Sequence, residues 1–129
     1  MVREYYTITE LTRECGISTR TLRFYEDEGL IHPLRRGRTR LFRPSDRHLI
    51  KQILRGKRLG FSIAEIHEII RMYHEPPGET GQLKLLMKRV NEKREILRQK
   101  RRDIEETLNE FDQIEESCLE RLAELGVST

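Results

Sequence analysis

The sequence predicts a mainly α protein, a winged helix-turn-helix domain followed by one long helix suited to an antiparallel coiled coil. Three observations predict it. Residues 16–30 read as a turn and a short helix with one apolar and one basic edge; residues 34–42 gather arginines around a glycine; and Leu83, Val90, Leu97, Ile104, Phe111, Cys118 and Leu125 recur every seven positions. With 129 residues, 36% of them charged and 6% aromatic, the chain has little material for a large buried pocket.

The first helix opens at Thr7-Ile8-Thr9-Glu10, a capping box with Thr7 as N-cap and Glu10 three positions on, and its apolar residues are Ile8, Leu11 and Cys15. Cys15 reads as a small core residue. Gly16 suits the left-handed position that closes a helix, Ser18 caps the next, and Gly29 ends it after about three turns. On this second helix Leu22 and Phe24 are expected to pack inward, leaving Arg20, Arg23 and Tyr25 available for phosphates and base edges.

Gly37 then lies between two arginine-rich arms, Leu34-Arg35-Arg36 and Arg38-Thr39-Arg40-Leu41-Phe42, bounded by Pro33 and Pro44. This reads as a small β-wing. Like charges at this density repel one another unless an anion gathers them, so phosphate contact is expected. Ser45 or Asp46 is placed to cap a third helix with Leu49, Ile50, Ile53 and Leu54 inward and Arg47, Lys51, Arg55, Lys57 and Arg58 outward. After Gly60, a second capping box, Ser62-Ile63-Ala64-Glu65, opens a fourth helix whose inner side is Ile63, Ile66, Ile69, Ile70 and Tyr73.

Residues 74–81, with two prolines and two glycines, read as a linker. The expected division is a DNA-binding domain over residues 1–74, a linker over 75–82 and a dimerisation helix over 83–125, with Leu83, Val90, Leu97, Ile104, Leu108, Phe111 and Cys118 on the pairing face. A break near the end of that helix is allowed for. Its charge reverses sign midway, from +7 over residues 83–102 to −8 over 103–125. An antiparallel pair sets each basic half against an acidic one, whereas a parallel pair opposes like charges.

The blocks Tyr6-Thr7-Ile8-Thr9-Glu10-Leu11, Ile17-Ser18-Thr19-Arg20-Thr21-Leu22-Arg23-Phe24-Tyr25-Glu26, Gly29-Leu30, Arg40-Leu41-Phe42 and Leu59-Gly60-Phe61-Ser62-Ile63-Ala64-Glu65-Ile66 together resemble the MerR family of bacterial transcriptional regulators. The resemblance spans essentially the whole chain. It implies a homodimer that binds a palindromic operator in double-stranded promoter DNA and, on meeting a small effector, distorts that DNA so that RNA polymerase engages both promoter elements. It also implies DNA roles for Ser18, Thr19, Arg20, Thr21 and Arg23 at the recognition helix, for Tyr25 on a phosphate, and for Arg35, Arg36, Arg38 and Arg40 on the wing. Phe24 and Phe42 depart from the tyrosines that many members carry.

Within the family, Arg23-Phe24-Tyr25-Glu26-Asp27-Glu28-Gly29-Leu30 and the run 53–61 resemble regulators of leucine, isovalerate and related acyl-CoA catabolism, which implies an acyl-CoA effector. The metal-sensing branch carries a cysteine near the start of the dimerisation helix and a cysteine pair after it. This chain has Gly81-Gln82-Leu83 and a single Cys118 there, so no metal and no cofactor are expected. His67 and His74 share a helix edge but are too far apart for ligands on adjacent turns, and His32 and His48 read as surface residues. The alternatives are a metal-responsive sensor, a coiled-coil interaction protein without specific DNA binding, and an enzyme. The last is disfavoured, since Ser45, Asp46 and His48 within one turn read as a helix cap and its neighbours. No apolar run long enough for a bilayer and no signal-peptide core at the start are present, so a cytoplasmic protein with no membrane partner is expected.

Overall fold

The computed structural model describes residues 3–127; Met1 and Val2, the start of the segment read for a signal peptide, and Ser128 and Thr129 lie outside the described residues. The elements are α1 (Ile8–Cys15), α2 (Thr19–Asp27), β1 (Leu34–Arg36), β2 (Thr39–Leu41), α3 (Pro44–Arg58), α4 (Ile63–Tyr73) and α5 (Glu79–Glu124). The chain divides into two compact units, Met1–Leu86 and Met87–Thr129.

In the first unit the helix starts are set by local hydrogen bonds. The Glu10 amide donates to Thr7 Oγ1 at 3.2 Å while the Thr7 amide donates to Glu10 Oε1 at 3.1 Å, and Ser62 and Glu65 repeat the exchange at 3.1 and 2.9 Å. Gly16 stands at φ 66°, ψ 34°, the left-handed conformation that turns α1 toward α2 without a Cβ clash. Leu11, Leu22, Leu30, Ile31, Phe42, Ile50 and Ile53 are fully buried and form the core. Tyr6 and Phe42 exchange backbone hydrogen bonds of 2.7 and 2.9 Å, which close the segment before α1 onto the end of the wing.

Three expectations are corrected here. Helix α3 begins at Pro44, with Arg43 as N-cap, and Asp46 reaches back from the third position to accept from the Arg43 amide at 2.8 Å, so neither Ser45 nor Asp46 is itself the N-cap. Proline suits this start because its fixed φ is helical and its missing N–H would be unpaired there. Tyr73, expected inside, is exposed and stacks edge-on against His74. Helix α5 starts at Glu79 rather than four residues later, so Glu79, Thr80, Gly81 and Gln82 are helical. Gly81 is closely packed, since a Cβ there would stand 3.1 Å from the Pro77 ring and 3.2 Å from Met72 Cε and both would have to give way slightly, and Gln82 Nε2 donates to the Ile69 carbonyl at 3.1 Å.

Helices α1 and α3 are joined electrostatically. Glu14 accepts from Arg47 Nε at 2.9 and 3.0 Å and pairs with Lys51 Nζ at 2.9 Å, so these two outward-facing cations have a partner within the fold. Hydrogen bonds from Arg47 and Lys51 lower the Glu14 carboxyl to about 2, outweighing the opposing effect of burial. A carboxylate lowered on folding stabilises the fold above its ordinary pKa, and that contribution fades as pH falls through the folded value. Wild-type melting temperature should therefore drop more steeply than that of Glu14→Gln between pH 4.5 and about 2, as read by circular dichroism. Parallel acid limbs for the two proteins would refute this linkage.

In the second unit α5 continues unbroken to Glu124, without the allowed break. Side-chain bonds three residues apart, Arg89 to Glu92 at 3.1 Å, Arg98 to Glu95 at 2.7 Å and Arg121 to Glu124 at 2.9 Å, support its solvent faces. Its apolar residues Leu97, Ile104, Leu108, Phe111, Ile114 and Leu119 are exposed. Among the described residues, no helix is long and apolar enough to cross a membrane.

Candidate nucleic-acid interface

The Thr21 amide donates to Ser18 Oγ at 3.1 Å, and the two hydroxyls lie 3.0 Å apart, which fixes the start of α2. From that start Arg20 and Arg23 are exposed and Thr19 and Thr21 half-buried. The expected inward Phe24 and outward Tyr25 are exchanged: Phe24 is 45% exposed and Tyr25 only 4%. Helical geometry gives the reason. Tyr25 lies three residues from buried Leu22 and shares its side, whereas Phe24 at two residues points roughly opposite. Burial also pushes the Tyr25 phenol above its ordinary pKa. The basic edge of α2 thus consists of Arg20 and Arg23, with the exposed Phe24 following them and Ser18 at the cap.

The wing is a two-stranded antiparallel hairpin with Leu34 opposite Leu41, Arg35 opposite Arg40 and Arg36 opposite Thr39. Its two-residue loop is Gly37-Arg38, with Gly37 at φ 64° and Arg38 at negative φ, the sign pattern of a type II′ turn whose twist suits the strands. Arg35 and Arg40 face the same side, and both donate to one carboxylate. Glu26 on α2 accepts from Arg40 Nε at 2.7 Å and from Arg35 Nη2 at 3.2 Å. Burial pushes the Glu26 carboxyl up, but hydrogen bonds from Arg40 and Arg35 outweigh it and hold it below its ordinary pKa. The anion expected to gather the wing arginines is therefore, for two of them, supplied by the protein.

The side chains of Arg36 and Arg38 are exposed and make no hydrogen bond or ion pair among the described residues. The base of the wing is fixed by Arg43, which bonds buried Asp46 at 3.1 Å and donates to the His32 carbonyl at 2.9 Å. Asp46 is thereby committed to structure, and the trio with Ser45 and His48 has no free carboxylate. Sequence reasoning missed Glu26, because Glu26-Asp27-Glu28 reads as one acidic run. Only its four-residue spacing from Leu22, which turns it toward the core side, distinguishes it.

The other predicted positions fall on α5, where Leu83, Leu97, Ile104, Leu108, Phe111 and Cys118 are exposed and Val90 is half-buried. Cys15 is half-buried, and desolvation, with the Glu14 charge beside it, pushes its thiol above the ordinary value, against the reactivity of a thiolate. Among the described residues, no group of three or more His, Cys, Asp or Glu is placed to hold a metal ion.

A family model described as MerR HTH family regulatory protein matches residues 6–73, and a second, described as MerR, DNA binding, matches residues 47–115. The HTH-type transcriptional regulator HmrR of Rhizobium leguminosarum bv. viciae is 35% identical over 69 residues, 53% of this chain and 54% of that protein. Heavy metal-dependent transcription regulator 2 of Rhizobium meliloti (strain 1021) is 29% identical over 79 residues, 60% of this chain and 54% of that protein. The chain thus spans about half the length of these relatives. HiNmlR, a MerR family regulator lacking the sensor domain and bound to promoter DNA, has the same fold, with a TM-score of 0.60 over 95% of this chain and 92% of that one at 24% identity.

Proposed function

The chain belongs to the MerR family of helix-turn-helix regulatory proteins, and we propose that it is a transcriptional regulator that binds a palindromic promoter operator as a homodimer. The observation that carries this reading is that two different elements each expose arginines: Arg20 and Arg23 on α2, Arg36 and Arg38 on the wing. The recognition helix supplies base-edge contacts, and the wing supplies phosphate contacts that fix its register. On this reading residues 1–74 are the DNA-binding head and α5 is the dimerisation helix, which takes in Glu79, Thr80, Gly81 and Gln82 of the expected linker. The exposed apolar stripe of α5 is the surface through which two copies pair. RNA polymerase is the downstream partner at the promoter.

The test is selection of bound sequences from a random duplex library, followed by binding at several salt concentrations. A recovered palindrome with a steep salt dependence supports the reading, and binding to no duplex at low salt refutes it.

For the effector, the acyl-CoA class implied by the sequence resemblance is the first reading. A heavy-metal ion is the second, favoured by the metal-dependent relative. Residue chemistry argues against the second, since Cys118 is the lone thiol on α5 and one thiolate does not close a soft-metal site. Chelators are accordingly expected to leave operator binding unchanged, Cys118→Ser to keep regulation, and an acyl-CoA to shift the operator complex. A stoichiometric metal in purified protein whose removal changes operator binding would establish the second reading instead.

A further inference from the structure

We propose that Glu26 is a specificity-determining residue of the DNA interface, withholding Arg35 and Arg40 from phosphate and so suppressing attachment to DNA of random sequence. The inference rests on the reading of the chain as a DNA-binding regulator.

Arg35 and Arg40 are directly opposed across the hairpin, where like charges destabilise the pair unless something neutralises them. Glu26 does so for both from the neighbouring helix. The contact with Arg40 is mostly covered, with side-chain exposures of 19% and 21%, so water and salt compete poorly for it. Arg35 is 48% exposed and reaches the same carboxylate from the solvent side at 3.2 Å. Without the carboxylate, two guanidinium groups would be left to find another anion, and on a nucleic acid the available anion is phosphate.

Contacts to phosphate carry no sequence information. The two kinds of complex nevertheless respond differently to freed arginines. On the operator, base contacts from α2 decide where the wing falls, and the Glu26 link keeps it there. Elsewhere the protein settles wherever the most phosphates are reached, so each freed arginine counts in full. Glu26 thus has two effects of the same sign on discrimination: it limits the cations usable off the operator and holds the wing in position on it.

The experiment compares full-length wild type, Glu26→Gln and Arg35→Ala, each alone, and the double variant, on the selected operator and on a random-sequence duplex across a salt series. Glu26→Gln should bind the random duplex about 10-fold more tightly near physiological salt, gain less on the operator, and steepen the random-duplex salt slope by about 0.9–1.8 for each DNA-binding head. Arg35→Ala alone should leave that slope unchanged, yet flatten it by about 0.9 per head in the Glu26→Gln background. Unchanged or weaker random binding by folded Glu26→Gln overturns the proposal. So does a slope loss in Arg35→Ala alone equal to that of Arg38→Ala, a comparison that does not depend on Glu26→Gln folding. Wild type that binds neither duplex overturns instead the assignment of DNA binding.

Discussion

Ile104→Glu should convert the protein from a dimer into a monomer at micromolar concentration. Ile104 is 60% exposed in the isolated chain and lies midway along the apolar stripe of α5, flanked by Leu97 and Phe111 at 61% and 62%. A side chain of this size contributes about 1.5–3 kcal/mol when buried. In a two-fold dimer it is counted twice, so the loss is about 3–6 kcal/mol, or about 10²- to 10⁴-fold in dissociation constant. Sedimentation equilibrium reads this directly, and a variant that stays dimeric would refute the stripe as the interface. The direction of pairing has its own test. Opposed charge halves centre the crossing between Gln99 and Asp103, which places Leu83 of one copy opposite Cys118 of the other. Leu83→Cys combined with Cys15→Ser should then cross-link to Cys118 on mild oxidation. Efficient pairing of Cys118 with its own copy in the wild-type dimer would require a parallel arrangement.

Arg20→Ala and Arg23→Ala should each weaken operator binding by about 1–3 kcal/mol per half-site contact. Both guanidinium groups are exposed on the edge of α2 that its cap and its buried Leu22 and Tyr25 turn outward. Their effect should fall on the operator much more than on random duplex, because base-edge hydrogen bonds discriminate between sequences. Arg38→Ala at the hairpin tip should instead weaken both together and flatten the salt slope. Equal operator affinity for wild type and both α2 variants would remove α2 as the reading element.

What was legible in the sequence was short in range. The capping boxes at Thr7 and Ser62, the left-handed Gly16 and the glycine of the wing turn each join residues no more than four positions apart, where spacing alone specifies the geometry. The period-seven stripe was legible because a single long helix repeats its own geometry. Contacts between elements were not. Arg47 and Lys51 gave no sign of Glu14, more than thirty residues earlier, and the wing arginines gave none of Glu26. Phe24 and Tyr25 were misplaced for another reason: adjacent aromatics compete for one inward position, and only the register from Leu22 decides between them. The first turn of α5 was hidden because Gly81 reads as a breaker, whereas it is a small residue closely packed against Pro77 and Met72.

The reversal of charge along α5 makes the protein's state depend on the ions around it. In the antiparallel dimer proposed above, salt screens the attraction between the basic half of one helix and the acidic half of its partner. The same ions compete with Arg20, Arg23, Arg36 and Arg38 for phosphate. Assembly and DNA occupancy are then linked through one shared variable, and both weaken as ionic strength rises. At concentrations near dimer dissociation, operator occupancy should therefore fall more steeply with salt than the number of phosphate contacts alone requires, and a cell that accumulates ions would release this protein from DNA in a cooperative step.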